Sequence, residues 1–265
     1  MIRKNFPKAC ARDASIRLFS LPTMVVCCAL LIDPSSSVAG RPQPNSRPLE
    51  LTAILAARIE PLRAEHPDPL PAPEWISLFD GESLENWSVT DFGGQGEVEV
   101  KDGRLVMNLG AYMTGVTYDG KHELPKSNFE VRYKAARLDG IDFFCGFTFP
   151  VKDSNCSLIL GGWGGGVCGL SSIDQMDASE NNTTQFRLFN KGEWYDVRLM
   201  VLDHRILAWI DGERIIDEII ENSEIGIRPE VELSCPLGFA TWQTTGAIES
   251  IQIRKLSEAE LARWK

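Results

Sequence analysis

RILAWIDGERIID, residues 205–217, carries one of the two clearest β signals in the chain. Two apolar-patterned segments flank Asp211-Gly212. Both residues of an Asp-Gly pair tolerate positive φ, so the stretch reads as a tight β-hairpin. EVEVKDGRLVMNL, residues 97–109, repeats that pattern around Asp102-Gly103, and further Asp-Gly pairs stand at Asp80, Asp119 and Asp139. Working outward, NFEVRYKAA (128–136) alternates Phe129, Val131 and Tyr133 with Glu130, Arg132 and Lys134, which predicts one buried and one wet face. Residues 143–149 and 157–161 are apolar on both faces, as expected of strands in the middle of a sandwich, and 194–202, 237–242 and 247–255 complete the set. About a dozen strands at this spacing, with no long amphipathic helix among them, predict an all-β two-sheet sandwich from residue 75 to residue 256. A short tail, 257–265, has the pattern of one or two helical turns.

The N-terminal part reads differently. Arg3, Lys4, Lys8, Arg12 and Arg17 precede an apolar run, 18–32, and Ser37-Val38-Ala39 offers small residues for cleavage. That order is the pattern of a secretory signal peptide over residues 1–39, with an apolar core too short for a membrane span, so no stable span is expected after cleavage; a retained N-terminal anchor is the alternative. Residues 40–74 form a Pro-rich linker, and LELTAILAARI (49–59) within it has the spacing of a short helix closed by Pro61. Of the seven cysteines, Cys145, Cys156, Cys168 and Cys235 lie beyond the cleavage point; they could pair as disulfides in an exported chain, or pack as small hydrophobes. The formal net charge of −10 provides no basic patch for phosphates, so nucleic acid is not an expected partner, and oligomeric state is not readable from the sequence.

The chemistry concentrates in residues 142–184. Trp163 stands among Gly161, Gly162, Gly164, Gly165 and Gly166, where backbone can approach a ligand and the indole can protrude as a sugar platform. The bland alternative is a Trp that plugs the end of the sandwich. Gly164-x-Gly166-x-x-Gly169 matches a dinucleotide fingerprint only formally, because no helix follows it. Asp174, Asp177, Glu180 and Asn181 supply oxygen donors in one loop; they could hold Ca²⁺, or one of them could act as acid or base, or the loop could simply be solvated. Asp142, at a strand start, is a further catalytic candidate. Trp242 and Gln243, followed by Thr244 and Thr245, combine an aromatic with amide and hydroxyl groups suited to sugar hydroxyls. Asp142, Asp174, Asp177 and Glu180 are thus the catalytic candidates, and Trp163, Asn181, Trp242 and Gln243 the substrate-binding ones. No cofactor motif is evident, and no spacing matches a zinc site.

LFDGESLENW (78–87) resembles the "LFDG-x-S/T-L-x-x-W" start of the 3-keto-disaccharide hydrolase domain family. The hairpin at 98–109, Gly192-Glu193-Trp194-Tyr195, the hairpin at 206–215 and the strand at 248–254 follow in the family's order. The resemblance implies a concanavalin-A/LamG-like jelly roll with a concave sheet, in an exported (periplasmic or extracellular) bacterial protein with a carbohydrate ligand. It implies cleavage of glycosides oxidised at C3, whose ketone acidifies the C2 proton so that elimination and hydration break the glycosidic bond. Many members carry "S-G-I-x-x-R" and "Y-E-x-Q-I-x-D" strands. Here these correspond to 145–149, without Arg, and to CSLILGG (156–162), without Glu, Gln or Asp, so no catalytic residue is carried over from either. A non-catalytic, lectin-like or surface interaction module is the alternative reading.

Overall fold

The computed structural model describes residues 74–264. The expected signal peptide, the linker and its short helix lie outside the described residues. Fifteen strands follow one another: β1 (Ile76–Ser77), β2 (Trp87–Val89), β3 (Val98–Lys101), β4 (Arg104–Met107), β5 (Met113–Tyr118), β6 (Phe129–Gly140), β7 (Cys145–Val151), β8 (Ser154–Gly162), β9 (Val167–Ser171), β10 (Gln185–Phe186), β11 (Trp194–Val201), β12 (Arg205–Ile210), β13 (Glu213–Ile219), β14 (Gly238–Trp242) and β15 (Thr244–Lys255). A 3-10 segment, Pro229–Ser234, precedes β14, and a one-turn helix α1 (Glu258–Leu261) follows β15. They form two antiparallel sheets, the jelly-roll sandwich expected: β13-β12-β11-β6-β15-β4-β3, with β1 on β15, and β10-β9-β8-β7-β14-β5-β2.

Both Asp-Gly hairpins form as two-residue turns. Lys101 pairs with Arg104 and Ile210 with Glu213, and Asp102, Gly103, Asp211 and Gly212 all have positive φ, the requirement of a type I′ turn. β7 and β8 are joined equally tightly, Val151 pairing with Ser154 around Lys152 at φ 54°. The sandwich core is aromatic: Phe147 stacks on Phe239 at 4.7 Å, and Tyr133 meets both rings edge-on. Cys145, Cys156 and Cys168 are buried in this core and free, their thiols pushed up by burial to about 12, about 12 and about 11 respectively. They pack as small hydrophobes rather than as bridges. No helix among the described residues is long and apolar enough to cross a membrane.

The outward face of the seven-stranded sheet is made small. One cross-strand row reads Gly115–Ala240–Gly146–Ile159–Gly169, and the next Thr117–Gly238–Thr148–Ser157–Ser171. Chain segments lie directly on this face. A Cβ on Gly169 would stand 2.8 Å from the Ala178 carbonyl oxygen, and one on Gly238 2.7 Å from that of Ser234. The loop around Ala178 and the 3-10 segment therefore cover the sheet, which is why β7 is buried on both faces.

The outer face of the eight-stranded sheet departs from the simple wet face that the alternation of β6 predicts. Glu130 points outward but is fully buried. Its Oε1 accepts from Arg132 Nε and Nη2 and Arg198 Nε, and its Oε2 from Arg254 Nε and Nη2. A carboxylate can lose its hydration when charge-assisted hydrogen bonds replace it. Arg254 also donates to Glu260, whose bond back to Ser257 closes the capping box of α1. The Arg254 hydrogen bond is the main cause that pulls Glu260 down from 4.5 to about 2.

Two outcomes follow for stability. Glu130→Ala strands three guanidinium groups and is expected to cost about 3–5 kcal/mol in urea unfolding. Because the folded-state pKa of Glu260 is depressed, its contribution is present above about pH 4.5 and fades as pH falls towards 2. Glu260→Gln should flatten that part of the acid unfolding profile, and an unchanged profile would contradict the assignment.

Candidate functional site

Arg137 organises the end of the sandwich where the candidate residues gather. By the alternation of β6 it points inward, and it is buried. Its guanidinium donates to carbonyl oxygens rather than to a carboxylate: Nη1 to Phe189 at 3.3 Å, and Nη2 to Asp142, Gly161 and Gly165 at 3.1, 3.1 and 2.9 Å. It also lies over the Phe144 ring at 5.1 Å. Burial lowers its pKa, and nearby Asp142 opposes that. One side chain thus ties the approach to β7 to the turn between β8 and β9. Gly161 makes room for it, since a Cβ there would stand 2.3 Å from Nη2, at φ +75°.

The two tied segments present Asp142 and Trp163. Asp142 Oδ1 accepts from the Phe143 amide at 2.7 Å, and Oδ2 from the Gly164 amide at 3.1 Å. Its carboxylate therefore clamps the glycine turn while keeping acceptor capacity on both oxygens. Trp163 has φ 49° between flanking glycines and is 45% exposed. A strand, not a helix, follows Gly164 and Gly166, so the glycines serve a turn.

Across from them, Trp242 ends β14, its amide donating to the Phe143 carbonyl at 3.0 Å. Exposed Tyr112 packs on it with ring centres 6.0 Å apart. Gln243, at φ 43°, donates its side-chain amide to the Ala111 carbonyl at 3.2 Å. The open space between these parts is a cleft of about 290 Å³, lined by Asp142, Trp163, Trp242, Met113 and Ile159 together with Arg228 and Glu230. Arg228 donates to Asp177 Oδ2 at 2.5 Å and to Glu230 at 3.0 and 3.3 Å. The Glu230 hydrogen bond raises Arg228 above its ordinary value, and the same bond holds Glu230 below the usual carboxylate range. Those three contacts leave two of the five guanidinium N–H groups for a ligand.

The structure thus brings Asp142, Trp163 and Trp242 to one cleft, with Asp177 behind its wall through Arg228. The other candidates stand elsewhere. Asp174 accepts from the Glu224 amide at 2.8 Å. Glu180 is exposed. Asn181 is buried, donating to the Leu170 and Met176 carbonyls and accepting from Thr183, so its side chain holds its own loop. The four loop donors do not converge as a Ca²⁺ site would require, because Asp177 is taken by Arg228 and Ser171, and Asn181 by the loop backbone. No group of three or more His, Cys, Asp or Glu side chains among the described residues is arranged to hold a metal. His204 contacts the Trp264 carbonyl at 3.1 Å, and His122 is exposed. Arg137, Arg228, Glu230 and Tyr112 belong to the site without standing out in the sequence. The inward parity of Arg137 on β6 was the available signal, since a buried cation demands partners.

The fold and the cleft define an all-β jelly-roll domain with an aromatic, partly charged cleft. The profile of the family described as 3-keto-alpha-glucoside-1,2-lyase-like domain matches residues 74–256. The chain belongs to that family, and with it to the hydrolase-like carbohydrate domains. No curated protein matches the sequence. Solved structures of similar fold include a provisionally assigned glycosyl hydrolase from Parabacteroides distasonis ATCC 8503, at 12% identity over 69% of this chain and 95% of that one, TM-score 0.43. The carbohydrate-binding module CBM66 from Bacillus subtilis has 9% identity over 64% and 96%, TM-score 0.42. Domain 4 of the GH43 extracellular arabinanase AbnA from Geobacillus stearothermophilus, solved with arabinotriose, has 15% identity over 67% and 86%, TM-score 0.43. At that level of likeness they do not bear on this chain's ligand.

Replacing Arg137 by Met leaves four carbonyls without their donor and should cost roughly 3 kcal/mol in urea unfolding. Gly161→Ala should be similarly destabilising through its clash with the guanidinium. If both variants unfold at the wild-type midpoint, the brace does not hold the loops.

Proposed function

We propose that the domain acts on 3-keto-glycosides in the cleft between Trp163 and Trp242. What carries this reading is the meeting of two part-exposed indoles with the Asp142 carboxylate and the Arg228–Glu230 pair, in a chain of this family. The indole faces suit the apolar C–H faces of a pyranose. Asp142 is the base that takes the C2 proton. The Arg228 N–H groups not held by Asp177 or Glu230 receive the enolate oxygen that forms at C3. Expulsion of the glycosidic oxygen from C1 then leaves a C1–C2 double bond conjugated to the ketone, and the proton held by Asp142 passes to the departing oxygen. Water adds across the double bond to give the free 3-keto-sugar. Asp177 and Glu230 are positioning residues that set the orientation of Arg228. An upstream oxidation at C3 supplies the substrate class.

Export fits this role: residues 1–39 act as a signal peptide, residues 40–74 as a spacer, and the protein works outside the bacterial cytoplasm. The family reading supports it together with the basic, apolar and small-residue order of the N-terminus.

The second reading is binding without turnover. It is favoured by one observation: the seven-stranded sheet contributes no Asp, Glu, His, Lys or Arg from any of its strands. Turnover of a 3-keto-disaccharide separates the two. Asp142→Asn is expected to lower kcat by at least 100-fold with KM within a few-fold, and Trp163→Ala to raise KM about tenfold. Wild-type binding without release of a 3-keto-monosaccharide would leave the lectin-like reading standing.

A further inference from the structure

On the outer face of the other sheet lies a cleft of about 360 Å³ whose floor is one cross-strand row. Gln252 on β15 opposes Arg132 on β6, Arg132 opposes Arg198 on β11, and Arg198 opposes Trp209 on β12. Two guanidinium groups therefore stand directly opposite one another, an arrangement that destabilises a sheet unless something compensates. Glu130 beneath them compensates only in part, because its single charge is shared with Arg254 as well, even though Arg254 also draws on Glu260. Lys134 and Asp196 also line the cleft; Lys134 lies 4.0 Å from Asp196 and 3.9 Å from Glu249, so this pair is balanced and the surplus positive charge is that of Arg132 and Arg198.

The arginines are also preoriented. Arg132 lies 4.4 Å over the Trp75 ring and Arg198 4.3 Å over the Trp209 ring. Their faces are stacked and their Nε edges turned to Glu130, so what remains is the outer edge of each fork. Among the described residues Arg198 donates only through Nε, to Glu130, which leaves both its terminal nitrogens for a ligand. The side chains are 50% and 36% exposed, so these edges are reachable from solvent. Planar forks of this kind match a carboxylate. On a chain of net charge −10 this pair of facing arginines is a local feature rather than a general one.

We propose that this cleft is a second ligand site, for the carboxylate of an acidic saccharide, with Arg132 and Arg198 gripping the oxygens and Gln252 and Ser250 facing the sugar hydroxyls. It lies on the opposite face of the sandwich from the Trp163–Trp242 cleft and does not rest on the activity proposed there. A site of this kind would hold the domain on an acidic polymer while the other cleft meets its substrate.

Calorimetry on the purified full chain tests it with three probes: a glucuronic-acid-bearing disaccharide, its neutral glucose counterpart, and sodium sulfate. The acidic disaccharide should bind at least tenfold more tightly than either, and more weakly as salt rises. Arg198→Gln should reduce that binding at least tenfold. Arg198→Lys, which keeps a positive charge beside Glu130, should fold normally and still bind several-fold more weakly. The double variant Trp163→Ala/Trp242→Ala should bind the acidic disaccharide as the wild type does. Equal binding of the neutral sugar or of sulfate would overturn the assignment, as would no binding at millimolar concentration. So would acidic binding that survives Arg198→Gln, or that disappears with the two tryptophans.

Discussion

The buried guanidinium of Arg137 is the constraint on which the site depends. Four carbonyl oxygens from three loop segments and β8 converge on it, two of them in fully buried bonds. Because the donors of an arginine are fixed in one plane, the segments are fixed relative to one another. That is how a turn containing five glycines within six residues holds Trp163 in a defined place. Asp142 adds a second tie, from its carboxylate to the Gly164 amide. The cost of this design is a cation held away from water, met by carbonyl dipoles and by the face of Phe144.

The two sheets divide the labour. The eight-stranded sheet carries the strand-borne charges, with Glu130 and its three arginines at the centre of the outer face. The strands of the seven-stranded sheet are free of ionisable Asp, Glu, His, Lys and Arg, and their outward rows are mostly Gly, Ala, Ser and Thr. Small outward residues let loops lie on the sheet, and the loops bring the charges that the strands lack. Asp142, Arg228, Glu230 and Asp177 all reach the cleft or its wall from connections outside the strands. Chemistry carried by loops can change without disturbing the ladders beneath.

Much of the sandwich was legible because its turns are chemically explicit: Asp102-Gly103 and Asp211-Gly212 form the hairpins their residues predict. Strand β5 was not read from MTGVTY, where Gly115 interrupts the pattern; the glycine is there because a Cβ would stand 2.4 Å from the Phe239 carbonyl oxygen. Glu130 was read as wet from its parity, and only the tertiary meeting of Arg198 and Arg254 buries it. The glycine-flanked Trp163, Asp142 and Trp242 stood out by composition, and they come together in space. Arg228 did not stand out, because IRPEVEL reads as a plain connection and its role arises from contact with Asp177, 51 residues earlier in the chain.

A crystal structure of the protein soaked with a 3-keto-disaccharide tests the central claim most directly, that the loop-built cleft is where sugar is held. A pyranose ring is expected between Trp163 and Trp242, with C2 facing Asp142 and the C3 oxygen within hydrogen-bond distance of Arg228. Ordered sugar elsewhere on the domain, with this cleft holding only solvent, would contradict it.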